Sequence, residues 1–144
     1  MKNRKTKIFV DILLLLSMII VFIPTKIIPI STHYFFGLLF AVLVLIHVFL
    51  NRKWCVTMTK ALISGKPNKK AKRQYFIDLL LLILCVLIIL SGFLAMGCAM
   101  GHGIEFFIYK HAHVVISRIG SLVILIHLYQ HKEQIRFYLK KNTR

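Results

Sequence analysis

Four of the seven histidines lie in long apolar segments at a repeated spacing. His33 and His47 are 14 residues apart, and His113 and His127 are separated by the same interval. In an α-helix that interval corresponds to a rise of about 21 Å and a return to within about 40° of the same face. Each pair therefore predicts two imidazoles on one stripe of a helix. Ionisable side chains are costly inside a bilayer and by default mark a functional site.

Two imidazoles on opposite sides of a central slot can ligate a haem iron, and helical bundles are the usual place for such cofactors. Small residues on the same stripes leave space for a flat macrocycle. Gly37 and Ser117 each follow a histidine by one turn, and Gly120 lies between the two later histidines. The chain has no Cys-x-x-Cys-His motif, so any haem is expected to be non-covalent and b-type. We predict two haems, ligated by His33 with His113 and by His47 with His127.

Three other charged or polar features carry weaker predictions. His131 lies one turn beyond His127, where it could bond a haem propionate or a quinone, replace His127 as ligand, or be a hydrated interfacial side chain. Arg118 could pair with a haem propionate or extend to the outer headgroups. Asp11 and Asp78 are expected near the N-termini of their helices, where the helix dipole favours a carboxylate without any functional role.

The composition requires that these residues sit in a membrane protein. The chain has 144 residues, of which 58% are hydrophobic, and 20 Lys and Arg against 4 Asp and Glu. Too few carboxylates are present for the mixed-charge surface of a soluble domain, and the apolar content excludes a disordered chain. Three unevenly spaced cysteines do not indicate a disulfide scaffold. Helices are the expected spanning structure, because bilayer-buried backbone groups must be satisfied within each segment.

The basic residues predict the orientation of four spans, which we place at residues 8–23, 32–50, 75–96 and 109–130. Four basic residues lie in the first seven positions, eight between Arg52 and Arg73, and five between Lys132 and Arg144. A basic cluster after every second span is the positive-inside pattern of a multi-pass cell-membrane protein, not a nucleic-acid footprint. Both termini and the loop from Arg52 to Arg73 are therefore predicted to be cytoplasmic.

The chain also contains an internal repeat. Phe9-Val-Asp-Ile-Leu-Leu opens the first span and Phe76-Ile-Asp-Leu-Leu-Leu opens the third. Leu43-Val-Leu-Ile-His closes the second span and Val123-Ile-Leu-Ile-His closes the fourth. The sequence thus predicts an all-α membrane protein, a single domain over residues 1–144. We expect a bundle of four transmembrane helices built from two duplicated helical hairpins.

These residues resemble the flavinylation-associated cytochrome family. The similarity rests on His33-x3-Gly, Leu45-Ile-His-x3-Asn-Arg-Lys-Trp, Leu90-Ser-Gly and His113-x13-His-x3-His, and it covers nearly the whole chain. The chain departs from the family at Tyr34-Phe35, where Glu-Trp is usual, and at Arg118, where an aromatic residue is common. The family in turn is similar to cytochrome b561 and to the membrane anchors of formate dehydrogenase.

The resemblance implies transmembrane electron transfer by two haems, both bis-histidine ligated. Electrons would pass to an extracytoplasmic, flavin-carrying protein, and we expect their donor to be a quinol or another membrane or inner-side donor. The chain would then be an electron-transfer subunit of a larger oxidoreductase system, and an oligomer is compatible with it. Two alternative functions are compatible with the same composition. One is a proton-relay transporter module that uses the histidines, and the other is a cofactor-free membrane anchor or assembly subunit.

The predicted topology can be tested with reporter fusions at Lys66 and at Gly101. Because 17 basic residues lie on the proposed inner side and two in the outer connections, the two fusions should give opposite signals. An alkaline phosphatase and green fluorescent protein pair measures both sides. Equal signals from the two positions would rule out the four-span topology.

Overall fold

The computed structural model describes residues 2–65, 68–98, 103–133 and 135–137. The described part of the chain is helical and contains no strand, which confirms the all-α class. Its helices are α1 (Lys2–Phe22), α2 (Ile30–Ile63), α3 (Lys69–Cys98) and α4 (Ile104–Gln130).

Proline, glycine and asparagine set several of the helix ends. Pro24 lies just beyond α1 and Pro29 immediately before α2, and the Pro29 carbonyl accepts the backbone N–H of Thr32 at 3.0 Å. Beyond the end of α2, Gly65 has a φ of 72°, a left-handed conformation that favours glycine. Asn68 caps α3, because its Oδ1 accepts the backbone N–H of Ala71 at 2.7 Å.

The second helix is longer than the predicted span. It continues 13 residues past Leu50 and ends at Ile63, so the first part of the predicted cytoplasmic connection, residues 52–63, is helical. Residues 51–63 contain no proline or glycine, and charged side chains alone do not end a helix. The turn that follows α2 begins at Ser64 and Gly65.

Three of the described helices, α2, α3 and α4, are long and apolar enough to cross a membrane. Many of their large apolar side chains are exposed, as lipid-facing residues are in a membrane protein, including Leu45 at 70% and Leu122 at 63%. The first helix has 21 residues but includes Lys5, Lys7 and Asp11, which lower its mean hydropathy. These properties support a membrane protein.

The chain divides into two compact units, Met1–Lys60 and Ala61–Arg144. The first unit, here called the first hairpin, contains α1 and most of α2. Its contacts join Asp11 to His47 and Lys7 to Asn51. Lys7 precedes Asp11 by four residues, whereas its partner Asn51 follows His47 by four residues. The two helices are therefore antiparallel.

The second unit, here called the second hairpin, contains α3 and α4, and it is antiparallel by the same reasoning. Successive contacts along α3 meet α4 at successively earlier residues. They join Gln74 to Gln130, Asp78 to His127, Ile88 to the Gly120 backbone, and Ser91 to His113.

The two hairpins repeat one another in structure as well as in sequence. When residues 31–50 are aligned with residues 111–130, the side chains at 18 of the 20 positions are alike in being buried, half-buried or exposed. Asp11 lies nine residues after the start of α1, and Asp78 lies nine residues after the start of α3. The repeat therefore places the same pair of side chains, an aspartate and a histidine, at the same place in each hairpin.

Candidate functional site

The first hairpin joins an aspartate of α1 to a histidine of α2. His47 Nδ1 lies 2.7 Å from Asp11 Oδ1, with exposed side-chain fractions of 33% and 50%. An ionised carboxylate only accepts hydrogen bonds, so the imidazole Nδ1–H donates. In a neutral ring this leaves the lone pair on Nε2, the nitrogen that is then available to a metal.

The second hairpin contains the same hydrogen bond. His127 Nδ1 donates to Asp78 Oδ1 at 2.7 Å, and both side chains are 22% exposed. Our expectation that Asp11 and Asp78 serve only the helix dipole was wrong. Both helices begin six residues before the predicted spans, which places each aspartate in the third turn, and the dipole effect is confined to the first turn.

Polar residues one turn away support the pair in the first hairpin. Lys7 Nζ donates to Asn51 Oδ1 at 2.9 Å, and Asn51 Nδ2 donates to the His47 carbonyl at 3.0 Å. The same Nδ2 lies 3.4 Å from His47 Nε2. Because the shorter bond goes to the carbonyl, Asn51 makes at most a weak contact with that ring nitrogen.

In the second hairpin His131 occupies the position that corresponds to Asn51. Its Nε2 lies 3.6 Å from Asp78 Oδ1, and its ring centroid is 4.6 Å from that of His127. The three side chains each offer a ligand atom, and these atoms lie within 4.8 Å of one another.

This cluster fits a hydrogen-bonded pair better than a cation site. Two ligands of a tetrahedral zinc ion lie about 3.3 Å apart when each bond is about 2.0–2.1 Å. The 2.7 Å between Asp78 and His127 is a hydrogen-bond distance, and the first hairpin reproduces it without a second histidine. What the repeat retains is the Asp–His pair.

His113 is also held through Nδ1, but by uncharged groups. Its Nδ1 lies 2.9 Å from the Ile88 carbonyl oxygen and 3.3 Å from Ser91 Oγ. A carbonyl only accepts, so the ring donates from Nδ1 here as well. Ser91 is buried, and its hydroxyl donates to the Leu87 carbonyl at 2.7 Å.

Gly92 allows this close approach of His113 to α3. A Cβ added at Gly92 would lie 3.1 Å from the His113 Cε1 and 3.2 Å from its Nδ1. Sequence reasoning did not identify Gly92 as a site residue. Its signal in the sequence is the Leu90-Ser-Gly segment, which carries part of the resemblance.

His33 and Gly37 lie at the other end of the first hairpin's histidine stripe. His33 is half-buried in the first turn of α2, and its ring makes an edge contact with Tyr34 at 6.3 Å between centroids. A Cβ added at Gly37 meets nothing within 4 Å. The surface of α2 is therefore open one turn after His33.

The remaining predicted residues lie on α4. Gly120 is buried, and a Cβ there would lie 2.9 Å from Ile88 Cδ1, so Gly120 packs against α3. Ser117 is half-buried and Arg118 is exposed. Their roles beside a haem, and the pairing of His33 with His113 and of His47 with His127, stay predictions.

The site as described is a set of oriented imidazoles. Three histidines donate from Nδ1, two to carboxylates and one to a carbonyl. Metal-ligating histidines almost always donate their second ring N–H in this way, which fixes the tautomer and the ring orientation. No family model, curated protein or solved structure matches the chain.

Gly92→Ala should be less stable than Gly97→Ala by about 1 kcal/mol, because the new methyl would lie 3.1 Å from the His113 ring, which is held by its bond to the Ile88 carbonyl. Gly97→Ala is the matched control on the same helix, since a Cβ there meets nothing within 4 Å. Thermal unfolding of both variants in the same detergent measures the difference. Equal stabilities for the two variants would contradict the contact between Gly92 and His113.

Proposed function

We propose that this protein is a b-type cytochrome that carries electrons across the cell membrane through two haems. The observation that carries the proposal is the repeated Asp–His pair. Each hairpin fixes one histidine through its Nδ1 at 2.7 Å, and in this proposal Nε2 would be the ligating nitrogen. A carboxylate behind a ligating histidine also raises the basicity of the ligand.

Four histidines would supply two ligands to each of two haems. His47 and His127 would hold one haem, and His33 and His113 the other. His113 shares the Nδ1 donor arrangement, with a carbonyl in place of the carboxylate. The open face at Gly37 provides space beside the His33 stripe. Each bound haem would accept and release one electron at its iron.

We extend the membrane assignment to α1 and propose four spans with cytoplasmic termini. Asp11 is the residue that most disfavours a membrane position for α1, and its hydrogen bond to His47 reduces the cost of burying the carboxylate. Lys5 and Lys7 lie at the end of α1 that carries the positive-inside signal, where long side chains reach the headgroups.

The partners in this proposal follow from the resemblance of the sequence to the flavinylation-associated cytochromes. A quinol or a membrane reductase would donate electrons at the cytoplasmic side, and an extracytoplasmic flavoprotein would accept them. Arg118, which is exposed on α4, would pair with a haem propionate. His131 would stay beside Asp78 and bond a propionate or a quinone.

A proton-relay module is the second candidate function, and the same carboxylate–imidazole pairs favour it. Aspartate and histidine chains inside membrane helices are typical of pumps and transporters. His131 lengthens the chain of such groups in the second hairpin, with its ring beside that of His127. A visible spectrum separates the two functions, because a relay without haem has no Soret band.

Replacing the proposed ligands one at a time should remove the haems one at a time. His47→Ala and His127→Ala should each lose the haem that these two residues share, and His33→Ala and His113→Ala should each lose the other. Pyridine haemochrome assays and redox-difference spectra give the haem content of each purified variant.

His111→Ala is the matched control for these variants, because His111 is exposed on α4 two residues from His113. It should keep both haems. If all four ligand variants kept the same haem content as His111→Ala, the assignment of the four histidines would be wrong.

Gly37→Leu tests the space for the haem separately from the ligands. Because a Cβ at Gly37 meets nothing within 4 Å, the larger side chain should not disturb helix packing. It should displace the haem of His33 and His113 and leave the other. Gly97→Leu, also at an open position, is the control and should keep both. A stable Gly37→Leu protein with two haems would contradict this slot.

A further inference from the structure

The hydrogen-bond acceptors behind the proposed ligands differ between the two haem sites. His47 and His127 both donate to carboxylates, Asp11 and Asp78, at 2.7 Å. His113 donates to the uncharged carbonyl of Ile88 at 2.9 Å. Under the proposed function, both ligands of the haem of His47 and His127 would donate to carboxylates. In the other haem site, His113 would donate to an uncharged carbonyl.

A carboxylate acceptor changes the electronic character of the imidazole more than a carbonyl does. Hydrogen bonds to an ionised acceptor are shorter and about twice as strong as neutral ones. The carboxylate draws the Nδ1 proton toward itself, so the ring becomes more electron-rich at Nε2. An electron-rich ligand stabilises ferric iron relative to ferrous iron, and hydrogen bonding around the ligands is one of the protein's means of setting a haem potential.

We infer that Asp11 and Asp78 give the haem of His47 and His127 the lower midpoint potential, which makes electron transfer from it to the other haem favourable. Electrons would then pass from that haem to the haem of His33 and His113. With the orientation proposed above, this direction is from the cytoplasmic side outward. The inference rests on the proposed function, and it assigns Asp11 and Asp78 as positioning residues that act through the ligands.

A nearby positive charge would raise the midpoint potential of the haem, but it acts less directly than the carboxylates. Lys7 lies one turn from Asp11, and a cation there favours the reduced haem. Its Nζ bonds Asn51 Oδ1 at 2.9 Å, which leaves the Asp11 contact with His47 in place. The Lys7 charge acts on the haem only through space, whereas the Asp11 hydrogen bond acts on the ligand itself. In the second hairpin the corresponding residue is the uncharged Gln74.

His131 does not compete with His127 for the hydrogen bond to Asp78. The distance from His131 Nε2 to Asp78 Oδ1 is 3.6 Å, which is too long for a strong hydrogen bond. The bond from His127 to the same oxygen is 2.7 Å. The main hydrogen bond of Asp78 is therefore the one to His127. Both proposed ligands of this haem, His47 and His127, are hydrogen-bonded to a carboxylate.

The first experiment measures the two midpoint potentials of the purified full chain by spectroelectrochemical titration and compares them with those of the ligand variants. The lower potential should be the one absent from His47→Ala, and the higher one should be absent from His33→Ala. The reverse assignment would overturn the inference while leaving the two-haem function intact. A wild-type chain without haem would instead refute the proposed function.

The second experiment replaces each carboxylate by its uncharged isostere, with Asp11→Asn and Asp78→Asn measured singly. Each variant should raise the lower potential by about 59 mV, which corresponds to a tenfold change in the ferric-to-ferrous preference, and leave the higher one unchanged. Electron paramagnetic resonance g-values of the same haem should shift with it. Asp11→Glu and Asp78→Glu, which keep the charge, should lie nearer to wild type than the Asn variants.

Ser91→Ala is the matched control, because Ser91 Oγ lies 3.3 Å from His113 Nδ1 and carries no charge. It should leave the lower potential in place. The inference would be overturned if the Asn variants kept both haems at wild-type potentials, or if they moved only the higher potential. It would also be overturned if Asn and Glu variants lost haem equally, because the charge would then have no role.

Discussion

A carboxylate in the third turn of an apolar helix needs a hydrogen-bond donor, and each hairpin supplies one from an imidazole on the neighbouring helix. The two resulting bonds, Asp11 with His47 and Asp78 with His127, are both 2.7 Å long. Inside a membrane-spanning helix an unpaired charge is costly, or the group becomes neutral. The rest of each hairpin is consistent with keeping this pair together.

The pair sets the register of the helices, because only one antiparallel alignment brings its members into contact. In that alignment Lys7 reaches Asn51, and Gln74 Nε2 reaches the Gln130 carbonyl at 3.4 Å. Further along α3, the same register places Gly92 beneath the His113 ring. The chemistry of the histidines and the packing of the helices are therefore not separate features, since one set of contacts determines both.

The helical class and the repeat could be predicted from composition and from matched segments, because apolar runs and the Asp and His positions are visible in the sequence. The ends of α1, α2 and α3 could not, because charged residues lower the hydropathy of a segment without ending its helix. That error hid the role of Asp11 and Asp78, which lie inside their helices and not at the termini. Helix-to-helix register, which also determines the position of Gly92, depends on contacts between segments distant in sequence.

Residues at similar positions in the sequence pattern have different environments in the structure. Gly37 and Gly120 both lie on histidine stripes, but Gly37 faces open space and Gly120 packs against Ile88. His33 and His113 occupy equivalent positions in the repeat, yet His33 lies in the first turn of α2 and His113 nine residues into α4. The duplicated halves have thus diverged at one end of the histidine stripes, while the Asp–His pairs at the other end remain alike.

The central claim is that these oriented histidines hold two haems, and the absorption spectrum of the purified full chain tests it most directly. The chain should show a Soret band, the reduced α and β bands of a b-type cytochrome, and two haems per polypeptide by pyridine haemochrome. A helical, detergent-soluble chain that contains no haem after expression with sufficient haem supply would contradict the account.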